Sequence, residues 1–246
     1  MAGDGKRTGS VWTRPRPRQR EQLTREQIVS AAIELLDAEG VEALSMRKLG
    51  TRLGAAATSL YRHVAHKDEL MELVVDEIYG ELEVRAPAGP ERWREAAAET
   101  AAGLRAMALR HPWIAPELGQ VGLVHVGPNA MRMASGLVAQ FEAAGFPDDE
   151  KDQAMGVLTS YVLGTATTEA AYLSLIARSG KSEEQWVADL RPGFEEASAD
   201  HPAVREGSSA RQDVTPERIR DEAFDYGLDR VLDGLQARLD TTAQAS

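Results

Sequence analysis

The sequence predicts an all-α protein in which a small N-terminal three-helix head joins a larger helical body. Three observations carry this. From residue 24 onward apolar residues recur at helical spacing, and no stretch shows the sustained alternation that a half-buried strand needs. Capping residues at starts and glycine or proline at ends fall between the periodic segments. Charge divides along the chain: residues 1–70 carry 12 Lys/Arg against 9 Asp/Glu, residues 71–246 carry 16 against 30, and the total is −11. A short basic segment therefore precedes an acidic body, and a local basic face is all that neutralising phosphates requires.

The length of 246 residues, with 43% hydrophobic and 27% charged, suits one large domain or two small ones around a sizeable core. With no cysteine, disulfide frameworks, thiolate metal sites and cysteine nucleophiles are excluded, and a reducing cytoplasm fits. Residues 1–23 read as a basic, flexible arm. Arg14, Arg16, Arg18 and Arg20 suit phosphate or minor-groove contacts, and a solvated tail fits them as well. The arm lacks the apolar stretch of a signal peptide. Residues 156–177 hold Glu169 as their single charge, but their Thr, Ser and Tyr content favours a helix buried in protein over a membrane span.

Local signals justify each element in turn. Thr24 with Gln27 forms a capping box; Ile28, Ala31, Ala32, Leu35 and Leu36 make an apolar stripe; Gly40 stops the first helix. Ser45 caps a short second helix carrying Leu49 and Leu53, which Gly54 ends. A third short helix follows through Thr58, Leu60, Tyr61 and Val64. A fourth opens at Lys67 with a stripe from Leu70 to Leu82 and is expected to run to about residue 84, bridging head and body. The body, residues 85–240, should hold helices at about 91–110, 113–119, 128–144 and 148–178, then a short helix capped by Ser182 and Gln185. Residues 200–214 read as a loop, Thr215-Pro216 opens a last helix, and residues 241–246 read as a tail.

Two short helices around a tight turn at Gly54, packed on a preceding helix, describe a helix-turn-helix over residues 24–70, whose second helix enters the major groove of DNA. At these residues the chain resembles the TetR family of repressors, without a gap over residues 24–70. Leu44-Ser45-Met46-Arg47-Lys48-Leu49, Leu53-Gly54 and Leu60-Tyr61-Arg62-His63-Val64 followed by Lys67-Asp68-Glu69-Leu70 carry the resemblance. It implies that Tyr61, His63 and Lys67 grip the sugar-phosphate backbone and that Arg47 reaches a base edge, where an arginine can read guanine. The third helix offers Ala57, Thr58 and Ser59 where many relatives place longer side chains, so methyl and hydroxyl contacts are expected there.

The body resembles the C-terminal regulatory domain of the tetracycline-repressor branch through Arg110-His111-Pro112, Gly127-Pro128-Asn129, Ala144-Gly145-Phe146 and the Tyr161-Val162-Leu163-Gly164 helix with Glu169. The resemblance implies a small-molecule effector held between helices. It also implies a homodimer built on residues 148–178 and 215–240. Candidate pocket residues are Met107, Trp113, Met131, Phe141, Tyr161, Thr165 and Tyr172, each of which also suits ordinary core packing. His125 lies near the position where drug-binding relatives hold a magnesium complex, but out of register, and Glu83 stands near the place of a second histidine; no metal and no cofactor are expected. Ser179-Gly180-Lys181-Ser182 looks like the end of a phosphate loop, yet Leu175 occupies the place of its first glycine. No hydrolase elbow or zinc-protease helix is present, so an enzyme is not expected. The expectation is a repressor binding a palindromic operator as a homodimer and released by a small molecule, with no membrane partner; the alternative is a helical interaction protein without sequence-specific DNA binding.

Overall fold

The computed structural model describes residues 23–118, 126–209 and 214–245, so the arm at residues 1–22 and His125 lie outside the described residues. Among the described residues there are eleven α-helices and no strand.

Helix α1 (Arg25–Glu39) begins with a reciprocal cap: the Gln27 amide donates to Thr24 Oγ1 at 3.2 Å and the Thr24 amide to Gln27 Oε1 at 3.0 Å. Helix α2 (Met46–Arg52) is capped by Ser45, and α3 (Ala57–Leu60) follows across Gly54, which takes a φ of 61°. The two pack tightly because Gly50 has no side chain: a Cβ there would lie 2.8 Å from the Ala55 carbonyl oxygen and 3.2 Å from Leu60 Cδ1. Helix α4 (Lys67–Tyr79) starts at His66, whose Nδ1 accepts from the Glu69 amide at 3.0 Å. Ile28, Leu35, Leu49, Leu60, Leu70 and Val74 meet in the core of the head.

The body contains α5 (Trp93–Arg110), α6 (Ala115–Leu118), α7 (Pro128–Ala143), α8 (Lys151–Ser179), α9 (Glu183–Ala197), α10 (Pro202–Ser209) and α11 (Pro216–Ala245). Helix α8 is the central post, packed by α5, α7 and α11, and α4 leans on both α1 and α7. Head and body thus share one continuous apolar core, locked in the body by edge contacts among Trp93, Phe141 and Phe146. Among the described residues no helix is long and apolar enough to cross a membrane.

Five boundaries differ from the sequence reading. Helix α3 is a single turn, with Tyr61 to His63 in the turns that follow it. Helix α4 stops at Tyr79 rather than near residue 84: the Gly80 amide closes on the Asp76 and Glu77 carbonyls, at 3.1 and 2.9 Å, and the chain turns through Leu82, whose amide donates to the Tyr79 carbonyl at 3.2 Å. The helix after Ser182 is not short: its reciprocal cap with Gln185 carries it through 15 residues, with Pro192 inside. The expected loop contains α10, opened by a proline at its first position, and α11 continues through the expected tail to Ala245 because Thr241 to Ala245 contain no glycine or proline to end it.

Candidate functional site

The head exposes two classes of cation. On α2, Lys48 and Arg52 turn back to α1 and pair with Glu39 and Glu34, the second pair at 2.9 Å. Arg47, Arg62 and Lys67 are exposed and have no ion-pair partner among the described residues. Leu60 and Val64 are buried, which leaves Thr58, Tyr61 and Arg62 facing outward, Tyr61 at 51% exposure. Ala57, Ser59 and His63 are half-buried beside them. Lys67 is the first residue of α4, where unsatisfied amides and the helix dipole favour an anion. Arg62 joins the candidates on its exposure; the family resemblance points only to its neighbours, and its position inside Tyr61-Arg62-His63 is the signal that the sequence offers for it.

Two polar ties join head to body. Asp76 of α4 accepts from the Asn129 and Ala130 amides, both at 3.0 Å, and so caps α7 from outside; a Cβ on Gly127 would collide with it. Asp37 of α1 accepts from Trp113 Nε1 at 2.6 Å and faces His111 Nδ1 at 2.7 Å, while Glu81 faces His111 Nε2 at 3.2 Å. Trp113 therefore serves as a strut to the head.

A cavity of about 1180 Å³ lies between α8, α9 and α11. Val187, Leu190, Phe194, Ile219 and Phe224 give it apolar walls, and Thr165, Thr168, Tyr172 and Ser198 give it hydroxyls. A charged chain runs beneath it, and Glu169, Arg220 and Glu183 of that chain reach its wall. Glu169 takes both arms of Arg105, each at 2.7 Å, and also the Nε of Arg220 at 2.9 Å. Arg105 continues to Asp221 at 2.8 Å, and Arg220 to Glu183 at the start of α9. The guanidinium of Arg105 stacks over Phe224 at 4.8 Å and that of Arg220 over Tyr172 at 5.9 Å. Burial by itself would push Glu169 up, but the two guanidiniums more than offset it and hold the carboxyl below the usual range. Burial, and next the hydrogen bond to Glu183, push the Tyr172 hydroxyl up.

Of the seven pocket residues expected from sequence, Thr165 and Tyr172 line this cavity. Tyr161 sits beside it, donating to the Phe224 carbonyl at 2.7 Å over Gly227, which has no side chain to obstruct the ring. Met107, Trp113 and Phe141 are buried in the core and Met131 lies on the outer side of α7; none of these four lines the cavity. The sequence reading leaves out the α9 wall, although Val187, Leu190 and Phe194 recur at helical spacing on an otherwise polar helix. Ser179 to Ser182 are helix punctuation: Gly180, at φ 70°, ends α8 and Ser182 caps α9. Among the described residues no group of three or more His, Asp or Glu is placed to hold a metal.

Comparison with known proteins assigns both parts. Residues 28–74 match the bacterial regulatory proteins of the tetR family, and residues 86–239 match the tetracyclin repressor-like C-terminal domain. An HTH-type transcriptional regulator of Saccharopolyspora erythraea is 41% identical over 166 residues, covering 67% of this chain and 69% of its own. The HTH-type transcriptional repressor DrrR1 of Streptomyces coeruleorubidus is 32% identical over 91% of this chain and 81% of its own. The structure of ActR from Streptomyces coelicolor in complex with actinorhodin superposes with a TM-score of 0.71 at 30% identity, covering 88% of this chain and 97% of that one. The chain belongs to the TetR family of bacterial regulatory proteins, as a helix-turn-helix transcriptional repressor with a ligand-responsive C-terminal domain.

Proposed function

We propose that the protein binds a palindromic operator as a homodimer and leaves it when a small molecule occupies the cavity between α8, α9 and α11. The observation that carries the DNA reading is the division of cations in the head: α1 neutralises Lys48 and Arg52, and Arg47, Arg62 and Lys67 stay free for an outside polyanion. Arg47 with Ala57, Thr58 and Ser59 reads base edges, while Tyr61, Arg62, His63 and Lys67 hold the sugar-phosphate backbone. With DNA as its partner, the protein works in the cytoplasm.

The homodimer reading rests on α8. Val157, Ser160, Gly164, Thr167, Ala171 and Leu175 form an exposed, uncharged seam at spacings of three and four, while Glu169 points inward to Arg105. Two such seams with α11 build a four-helix bundle about a two-fold axis. Gly164 belongs to both the seam and the cavity wall, so an occupant of the cavity borders the interface. Two heads must meet half-sites about 34–36 Å apart, or a multiple of that, and a small change in their separation sacrifices one set of contacts. The test is selection of bound fragments from genomic DNA, followed by mobility shift and sedimentation on the recovered site. A palindromic site bound by two chains supports the proposal; a monomer on DNA, or fragments with no shared sequence, overturns it.

A further inference from the structure

Resting on the reading of the protein as a homodimer on a palindrome, we infer that Asp76 is a positioning residue of operator binding: it fixes where α4 crosses the body, and through that the separation of half-sites that two heads can meet together. The need for it is written into α7. A helix leaves its first amides without partners of its own; among the first three residues of α7, Pro128 has no N–H, so Asn129 and Ala130 are the two that require an acceptor. The N-cap residue that would ordinarily supply one is Gly127, which has no side chain. One oxygen of Asp76, on the helix that joins the head, accepts from both amides at 3.0 Å. Helix α7 therefore borrows its cap from α4.

Close approach is arranged for the same contact. Gly127 has φ −63° and ψ 163°, a conformation open to any residue, so its lack of a side chain serves space: a Cβ there would lie 2.2 Å from the Asp76 oxygen and 2.3 Å from its carboxyl carbon. The tie at Asp37 joins side chain to side chain, whereas Asp76 meets backbone and so fixes a helix end rather than a rotamer. Helix α7 in turn packs on α8, which carries the exposed seam. The head is thus referenced to the two-fold axis through α4, Asp76, α7 and α8. Lys67, at the DNA end of α4, precedes Asp76 by about 14 Å along the helix. A swing of about 7° around Asp76 along the duplex moves that end by about 1.7 Å, and two heads together by about 3.4 Å, the rise of one base pair.

The test takes the palindromic fragment recovered by selection, rebuilds it with its half-sites from about two base pairs closer to about two further apart, and measures the affinity of the full chain for each. The wild type is expected to prefer one spacing over its neighbours about tenfold or more, and Asp76→Ala to cut that preference to about threefold or less. Thr24→Ala, which removes the cap of α1, is expected to lower the melting temperature similarly and to leave the preference intact. A wild type indifferent to spacing, a preference unchanged in Asp76→Ala, or one flattened equally by Thr24→Ala overturns the inference. A second readout needs no operator. Fluorophores on cysteines introduced at Glu42 and Glu142, in chains diluted with unlabelled ones, should report a broader head-to-body distance distribution in Asp76→Ala; an unchanged distribution overturns the inference whatever the DNA shows. If no palindrome bound by two chains is recovered, the homodimer reading falls and the distance distribution alone decides on Asp76. If Asp76→Ala fails to fold, Gly127→Ala, which wedges a methyl group into the contact, decides by the same two readouts.

Discussion

The head and the charged chain beneath the cavity both concentrate arginine, and they use it in opposite ways. In the head, Arg47, Arg62 and Lys67 sit at the surface without ion partners among the described residues, while Glu39 and Glu34 of α1 pair with Lys48 and Arg52. In the body, Arg105 and Arg220 are mostly buried and bound to Glu169, Asp221 and Glu183. A phosphate backbone is long, hydrated and everywhere negative, so it is met by charges left in water. A charge held away from water needs a partner in the same chain, so the body's guanidiniums are neutralised internally before anything else approaches. The difference explains how an acidic chain of net −11 carries a DNA-binding face.

The strongest way to break the buried half is Glu169→Ala. Two guanidiniums then lose their shared carboxylate, and a loss of about 3–5 kcal/mol is expected in urea denaturation. The sign with pH follows from the lowered Glu169 carboxyl: the native network stabilises above the usual glutamate range and loses that contribution as pH falls through the lowered value. The variant should lack this acid limb.

In the head, Gly50→Val drives side-chain carbon into the Ala55 carbonyl and Leu60, at a cost of about 1–3 kcal/mol. Operator binding should fall with it, and thermal unfolding measures the loss. Between the two regions, Asp37→Ala strips the acceptor from Trp113 Nε1 and from His111, which should cost about 1–3 kcal/mol. Because the chain has no cysteine, a fluorophore pair placed on introduced cysteines at Glu42 and Glu142 reports whether the head-to-body distance distribution broadens, as expected for a lost strut. Arg47→Ala should cost about 1–3 kcal/mol at one base position of the operator and leave the ranking at the others intact, as read by a panel of single-base operator variants.

The head is legible in the sequence because its determinants are local. The Thr24 and Gln27 cap, Gly40, Ser45 and Gly54 each act within a few residues, and Arg47 to Lys67 lie in one short stretch. The cavity is not legible, since its lining comes from residues 164–172, 183–205 and 214–224, and the ion pairs beside it join residues 37 to 116 positions apart. Met107, Trp113 and Phe141 show the same limit from the other side, because methionine and aromatic rings fill cores and ligand pockets alike and only the tertiary contacts of each tell which. Leu82 lengthens α4 in the sequence because it continues the apolar spacing, although it is buried from a turn rather than from the helix.

The contrast between head and body rests most directly on the claim that free cations, and not paired ones, hold the DNA. The decisive measurement is the salt dependence of operator affinity for Lys67→Ala, Arg62→Ala and Lys48→Ala. Removal of Lys67 or Arg62 should lower the slope of log affinity against log salt by about one per head. Removal of Lys48, already paired with Glu39, should leave the slope unchanged. Equal slope changes for all three, or a change confined to Lys48, would contradict the claim.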